Sequence, residues 1–292
     1  MMRHRFFAVI LLTGLLGCNS KTDMTDAYGN FETIEVIVSS ESQGRILMFE
    51  SMEGDALTAG EVIVLIDTLA LHLQKKQLET ARSSLHAKLN TLEAQVHVNR
   101  VQLENLEREK ERIDRLAEGG AATPRQQDEM ADRIELLKAQ TEAVRTQERS
   151  VDAEEKTLEV QIAQVEDRIG RCAVKNPESG ILLTKYNEEG EMAVPGQPLY
   201  KMANMERLIL RAYVTGNQLS GIRTGQEVKI RYDVPGGLEE VSGKITWISP
   251  RAEFTPKTIQ TREERVNLVY AIKVLVPNNG SLKIGMPGEV VF

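Results

Sequence analysis

Along two stretches of this 292-residue chain, apolar residues return at every seventh position, and that period predicts the central element. Leu71, Leu78, Leu85, Leu92, Asn99, Leu106 and Ile113 form one stripe, with Leu89, Val96 and Leu103 four residues on. Met130, Leu137, Val144, Val151, Leu158 and Val165 repeat it, accompanied by Ile134, Thr141, Glu148, Glu155, Ile162 and Ile169. Neither stretch contains proline or glycine. A seven-residue period keeps one seam on one side of a slightly underwound helix. The positions between are Glu, Gln, Lys and Arg, which favour helix and water. Between the stretches, Gly119-Gly120 ends one helix, and Thr123-Pro124 supplies the N-cap and first turn of the next. The pattern predicts an antiparallel helical hairpin over residues 68–172 with its tip at 113–125. At 1.5 Å per residue each arm is about 70 Å long. Asn99, Glu148 and Glu155 interrupt the seam and read as solvated positions that set its register.

The pattern changes on either side of the hairpin. Gly44–Asp67 and Gly180–Ala203 align without a gap, Gly44, Gly54 and Gly60 falling opposite Gly180, Gly190 and Gly196. Val62–Ile66 falls opposite Pro198–Met202. Two such pieces are most simply the halves of one small β-domain, which the hairpin leaves and re-enters. Farther on, the near-alternating runs 208–214, 227–232, 241–248 and 268–276 predict strands of a second β-domain. Trp247 and Met286 read as its core.

Composition narrows the function. A formal net charge of −7 leaves no basic excess to neutralise phosphates, so nucleic acid is not an expected partner. Aromatics at 4% against 27% charged residues favour an extended shape with small cores. No phosphate-cradling loop, nucleophile elbow or zinc-protease motif is present. His72 and His86 share a heptad position, but two heptads separate them by about 21 Å, too far to share a metal. No catalytic site, metal or cofactor is expected.

The N-terminus supplies an address. Arg3, His4 and Arg5 precede the short apolar run Phe6–Leu16. That run is too short to span a bilayer and fits the h-region of a secretory signal. Leu15-Leu16-Gly17-Cys18 is similar to a bacterial lipobox. The likeness implies removal of residues 1–17 and lipid on Cys18, which begins a polar tether over 18–30. Cys172 then has no intrachain partner, so neither a disulfide framework nor a cysteine metal site is expected.

G-x-I, then Gly-Asp, then Gly, then an apolar strand ending in Asp resembles half of a biotinyl/lipoyl domain. In carrier proteins of that fold, the hairpin between halves displays the modified lysine. Here Asp67-Thr68-Leu69 stands at that place and no lysine does, so a carrier role is not expected. A lipoyl domain split by a helical hairpin on a lipid-anchored chain resembles the periplasmic adaptor family, the membrane fusion proteins of HlyD type. Leu282-Lys283-Ile284-Gly285-Met286-Pro287-Gly288 is similar to that family's turn before the last barrel strand, and Pro250–Tyr270 is similar to the barrel insert of adaptors serving ABC exporters. The resemblance implies an elongated α+β fold. Its lipoyl-like domain (a barrel-sandwich hybrid) would comprise 31–67, with a preceding strand, and 173–204, followed by a β-barrel over 205–292. Arg112, Leu116 and Thr123 stand at the spacing of the R-x3-L-x6-S tip pattern by which adaptors dock on outer-membrane channels, with Thr in place of Ser.

The implied role is non-enzymatic: a homo-hexameric adaptor of a tripartite export or efflux system, in the periplasm of a Gram-negative bacterium. It would be lipid-anchored to the inner membrane and bridge a transporter there to an outer-membrane channel. Drug-efflux adaptors continue past the barrel into a membrane-proximal domain, whereas this chain stops at Phe292. With the insert, that favours an ABC-type transporter over a proton-driven one. The competing readings are a coiled-coil lipoprotein that spaces envelope layers without transport, and a lipoyl or biotinyl carrier. The spacer would have no need of a split lipoyl domain.

Overall fold

The computed structural model describes residues 26–253 and 268–292. The signal segment, Cys18 and Phe254–Lys257 of the barrel insert lie outside the described residues. In chain order the strands and helices are β1 (Ala27–Glu32), β2 (Glu35–Ser39), β3 (Gly44–Met48), β4 (Ala56–Leu57), β5 (Val62–Ile66), α1 (Leu69–Glu118), α2 (Pro124–Arg171), β6 (Ala173–Lys175), β7 (Gly180–Lys185), β8 (Met192–Ala193), β9 (Pro198–Ala203), β10 (Arg207–Thr215), α3 (Gly216–Leu219), β11 (Glu227–Val234), β12 (Gly237–Ile248), β13 (Val269–Pro277) and β14 (Pro287–Val291). They fall into two units. One is Glu35–Asn204; the other joins the chain before Glu35 to Met205–Phe292.

In the first unit the glycine-marked repeats build two four-stranded sheets, ordered β2-β9-β7-β4 and β6-β5-β3-β8. Exchanging every strand for its counterpart in the other repeat turns one order into the other. The hydrogen bonds follow the same exchange. Gly54 N–H donates to Leu182 C=O at 2.8 Å, and Gly190 N–H to Ile46 C=O at 2.9 Å. Both glycines have positive φ, +98° and +90°, a conformation that costs glycine little. Gly44 and Gly180 serve differently. A Cβ would lie 2.7 Å from Ile66 Cγ2 at the first and 2.4 Å from the Ala203 carbonyl oxygen at the second, so the strands close only over a bare Cα. The two repeats therefore form one sandwich, with Ile46, Phe49, Ile66, Leu182, Leu199, Tyr200 and Met202 buried between its sheets. The Tyr200 hydroxyl donates to Asn176 Oδ1 at 3.1 Å. Burial, and then the nearby Glu61 carboxylate, push this phenol up to about 12.

The hairpin grows from adjacent strands. Asp67 Oδ1 accepts from Leu69 N–H at 2.8 Å and starts α1. Arm α2 ends at the buried Cys172, and β6 then pairs with β5, Val174 opposite Val64. The arms have 50 and 48 residues. Met130, Ile134, Leu137, Val151, Ile162 and Val165 are buried, and the seam leucines of α1, such as Leu78, Leu85, Leu92 and Leu106, are half-buried. Between the arms, Lys75 pairs with Glu166 at 2.7 Å and Lys138 with Glu107 at 3.9 Å. The polar interruptions are less solvated than their residue types suggest. Asn99 is 6% exposed and accepts from Gln95 Nε2 at 3.1 Å. The Glu155 side chain, 15% exposed, faces Arg82 Nε at 3.5 Å. A seam slot shields whatever side chain occupies it, so these groups are paired instead of hydrated.

In the second unit six strands close a barrel in the order β1-β10-β13-β12-β11-β14. Its closing strand corrects the sequence reading, which ended the tether at residue 30 and gave the next strand to the lipoyl-like half. Ala27–Glu32 pairs with β10 on one side and β14 on the other. Ala27 and Phe31 point into the barrel core. Gly29 lets β10 approach, since a Cβ there would lie 2.0 Å from the Arg211 carbonyl oxygen. The turn before β14 locks onto the same strand: Gly285 N–H donates to Phe31 C=O at 2.7 Å, and Phe31 N–H to Met286 C=O at 2.9 Å. Met286 packs against the core as expected. Trp247 does not. A register shift between Ile245 and Trp247 leaves Ile245 buried and turns the indole outward, 39% exposed, beneath Lys273 Nζ at 5.7 Å. Among the described residues, no helix is long and apolar enough to cross a membrane.

Candidate functional site

The tip is built by two complementary helix ends. Helix α1 stops at Gly119, and Gly120 takes φ +75°. Ala121 N–H reaches back to Leu116 C=O at 2.8 Å and Gly120 N–H to Ala117 C=O at 3.0 Å. That pair of bonds satisfies carbonyls that the last helical turn leaves open. Helix α2 starts on a capping box: Gln126 N–H donates to Thr123 Oγ1 at 3.4 Å, and Thr123 N–H donates to Gln126 Oε1 at 2.8 Å. Pro124 fills the first helical position, where its missing N–H costs nothing.

The three residues singled out in the sequence gather at this end but are held by separate local partners. The Arg112 guanidinium donates twice to Glu109, from Nε at 3.0 Å and from Nη2 at 2.5 Å. These bonds hold the Glu109 carboxyl below the usual carboxylate range and push Arg112 up. Leu116 lies four residues on, along the same face of α1. It is 42% exposed although its carbonyl closes the turn. The exposed Thr123 hydroxyl already serves the cap, also donating to Gln126 Oε1 at 3.1 Å.

Further residues escaped the sequence reading. Asp114 accepts from Lys110 Nζ at 2.6 Å and, across the arms, from Gln127 Nε2 at 2.9 Å. The Lys110 bond, then the Gln127 bond, hold this carboxyl low. It ties α1 to α2 just below the turn. The i,i+3 spacing of Glu109 and Arg112, the i,i+4 spacing of Lys110 and Asp114 and the T-x-x-Q spacing of Thr123 and Gln126 were available in advance as signals. The Asp114–Gln127 bond spans the turn and needs the fold. Among the described residues, no group of three or more His, Cys, Asp or Glu is placed to hold a metal. The Asp67-Thr68-Leu69 turn, where carriers display lysine, starts α1 instead.

No family model matches the chain. It is 38% identical over 116 residues to the "UPF0194 membrane protein in asrC 5'region" of Acidithiobacillus ferridurans, a match covering 39% of this chain and 34% of that protein. The chain thus matches about a third of that relative's length. Among solved structures, MacA from Actinobacillus actinomycetemcomitans superposes with a TM-score of 0.67 at 18% identity, over 91% of this chain and 78% of that one. The periplasmic adaptor protein EmrA gives 0.52 at 17% identity, over 91% and 97%. The resemblance to the adaptor proteins is therefore borne out in the fold: a split lipoyl-like sandwich, a long helical hairpin and a β-barrel.

Proposed function

We propose that the chain is a non-enzymatic periplasmic adaptor of a tripartite export or efflux system. In this reading it bridges an inner-membrane transporter to an outer-membrane channel and meets the channel through the hairpin tip. The observation that carries the reading is the sandwich split by arms of 50 and 48 residues that return to a capped tip. A sandwich that served as a carrier would need a lysine at its hairpin turn; here that turn launches a helix of 50 residues, about 75 Å long. The reading extends to a lipid on Cys18, a homo-hexamer whose hairpins enclose a conduit, and anchorage to the inner membrane. An ABC-type transporter is favoured by the sequence likeness of the segment after Pro250.

The test is site-specific crosslinking in the living cell from positions Arg112 and Thr123. The expected product joins the tip to an outer-membrane channel protein, identified by mass. If shaft positions trap partners while the tip traps no channel, docking at the tip is wrong.

A further inference from the structure

We infer that Glu109 is a positioning residue of the tip, which aims the Arg112 guanidinium at the docking partner; this rests on the docking reading above. The two bonds from Nε and Nη2 engage one edge of the guanidinium side-on and fix its plane along α1. A guanidinium has five N–H donors, so the fork leaves both on Nη1 and one on Nη2 unused by Glu109. The Arg112 side chain is 63% exposed, so those donors can be reached from solvent. Leu116, one turn along the same face, sets an exposed apolar surface beside them.

The pair as a whole carries no net charge. It therefore suits a partner that offers directional acceptors, a carboxylate or the open carbonyls at a helix C-terminus, next to an apolar hollow. The other tip arginine with a described partner is held differently. Arg125 makes one bond, Nε to Glu129 at 3.0 Å, and its side chain is 87% exposed. An arginine already held in one plane loses less freedom on docking than a free one. An exposed ion pair contributes little to helix stability, so removing Glu109 leaves the hairpin folded.

The experiment uses the full chain in its own cell, with a photo-reactive residue at Ala121 and the yield of channel adduct as readout. Arg112→Ala, Glu109→Ala, Glu109→Gln and the Arg112→Ala/Glu109→Ala pair are compared. Immobilising one long side chain corresponds to about a three- to tenfold change, so Glu109→Ala is expected to lower the yield by that factor. Glu109→Gln keeps one acceptor oxygen and should fall between Glu109→Ala and the unaltered protein. The double variant should be no worse than Arg112→Ala alone, because Glu109 acts through the arginine. Helical circular dichroism and thermal midpoint should be unchanged throughout. If Glu109→Ala docks like the unaltered protein or better while Arg112→Ala is impaired, the inference is overturned and tip docking stands. If Arg112→Ala itself docks normally, the inference falls together with the arginine's part in the docking reading.

Discussion

The sandwich and the hairpin belong to one unit, yet they are stabilised in opposite ways. In the sandwich each half completes the other. Gly54 bonds into the second repeat and Gly190 into the first, and side chains such as Leu182 and Leu199 are fully buried. Neither half has a core without its counterpart. In the hairpin every backbone bond is local, and the arms share a single seam whose leucines on α1 stay half-buried. Polar pairs such as Arg82–Glu155 and Lys75–Glu166 take the place of apolar layers. The lesson is that the body is one cooperative object, whereas the shaft sums many small contributions. Such a shaft can change its tip without unfolding its base.

The largest effect that probes this contrast comes from truncating one leucine in each region. Leu182→Ala should cost about 2–5 kcal/mol, since the sandwich cannot collapse around the hole. Leu92→Ala, at a half-buried seam position, should cost about 1 kcal/mol. Chemical denaturation of both variants checks this, and equal costs would break the contrast.

A second, smaller effect separates the regions by pH. The buried Tyr200 phenol stays neutral up to about 12, whereas an unfolded tyrosine ionises near 10. Its contribution is therefore complete below pH 10 and is lost as pH rises toward 12, on the order of 2–3 kcal/mol. The melting temperature of the unaltered protein should fall more steeply with pH across that window than that of Tyr200→Phe. Parallel pH profiles would mean that the phenol is not what makes the sandwich alkali-sensitive.

The smallest effect sharpens the view of the seam. Glu155→Leu replaces a shielded carboxylate with an apolar side chain, so the melting temperature should hold or rise by a few degrees. The variant should lose uniqueness of register instead. Cysteines placed at Glu107 and Lys138 should crosslink less completely, with new products at pairs shifted by a heptad, such as Glu107 with Ala131. A clear drop in melting temperature with unaltered crosslinking would show that Glu155 contributes stability and not register.

Much of the architecture could be read from residue order because the signals are local. The seven-residue period follows from the rotation of an α-helix about its own axis. Gly119-Gly120 and Thr123-Pro124 end and start helices through their own backbone preferences. The aligned glycines mark places where a chain turns or must be bare. Long-range contacts chose the rest. Ala27–Glu32 carries only a weak alternation, and it is a barrel strand because β10 and β14 offer it two edges. Trp247 faces outward because a bulge shifts the register by which β12 meets β13. Asp114 finds Gln127 only after the arms have folded back. Periodicity and turn chemistry belong to neighbouring residues and survive in a string of letters. Strand partnership, register and cross-arm bonds depend on surfaces that meet only once the chain has closed.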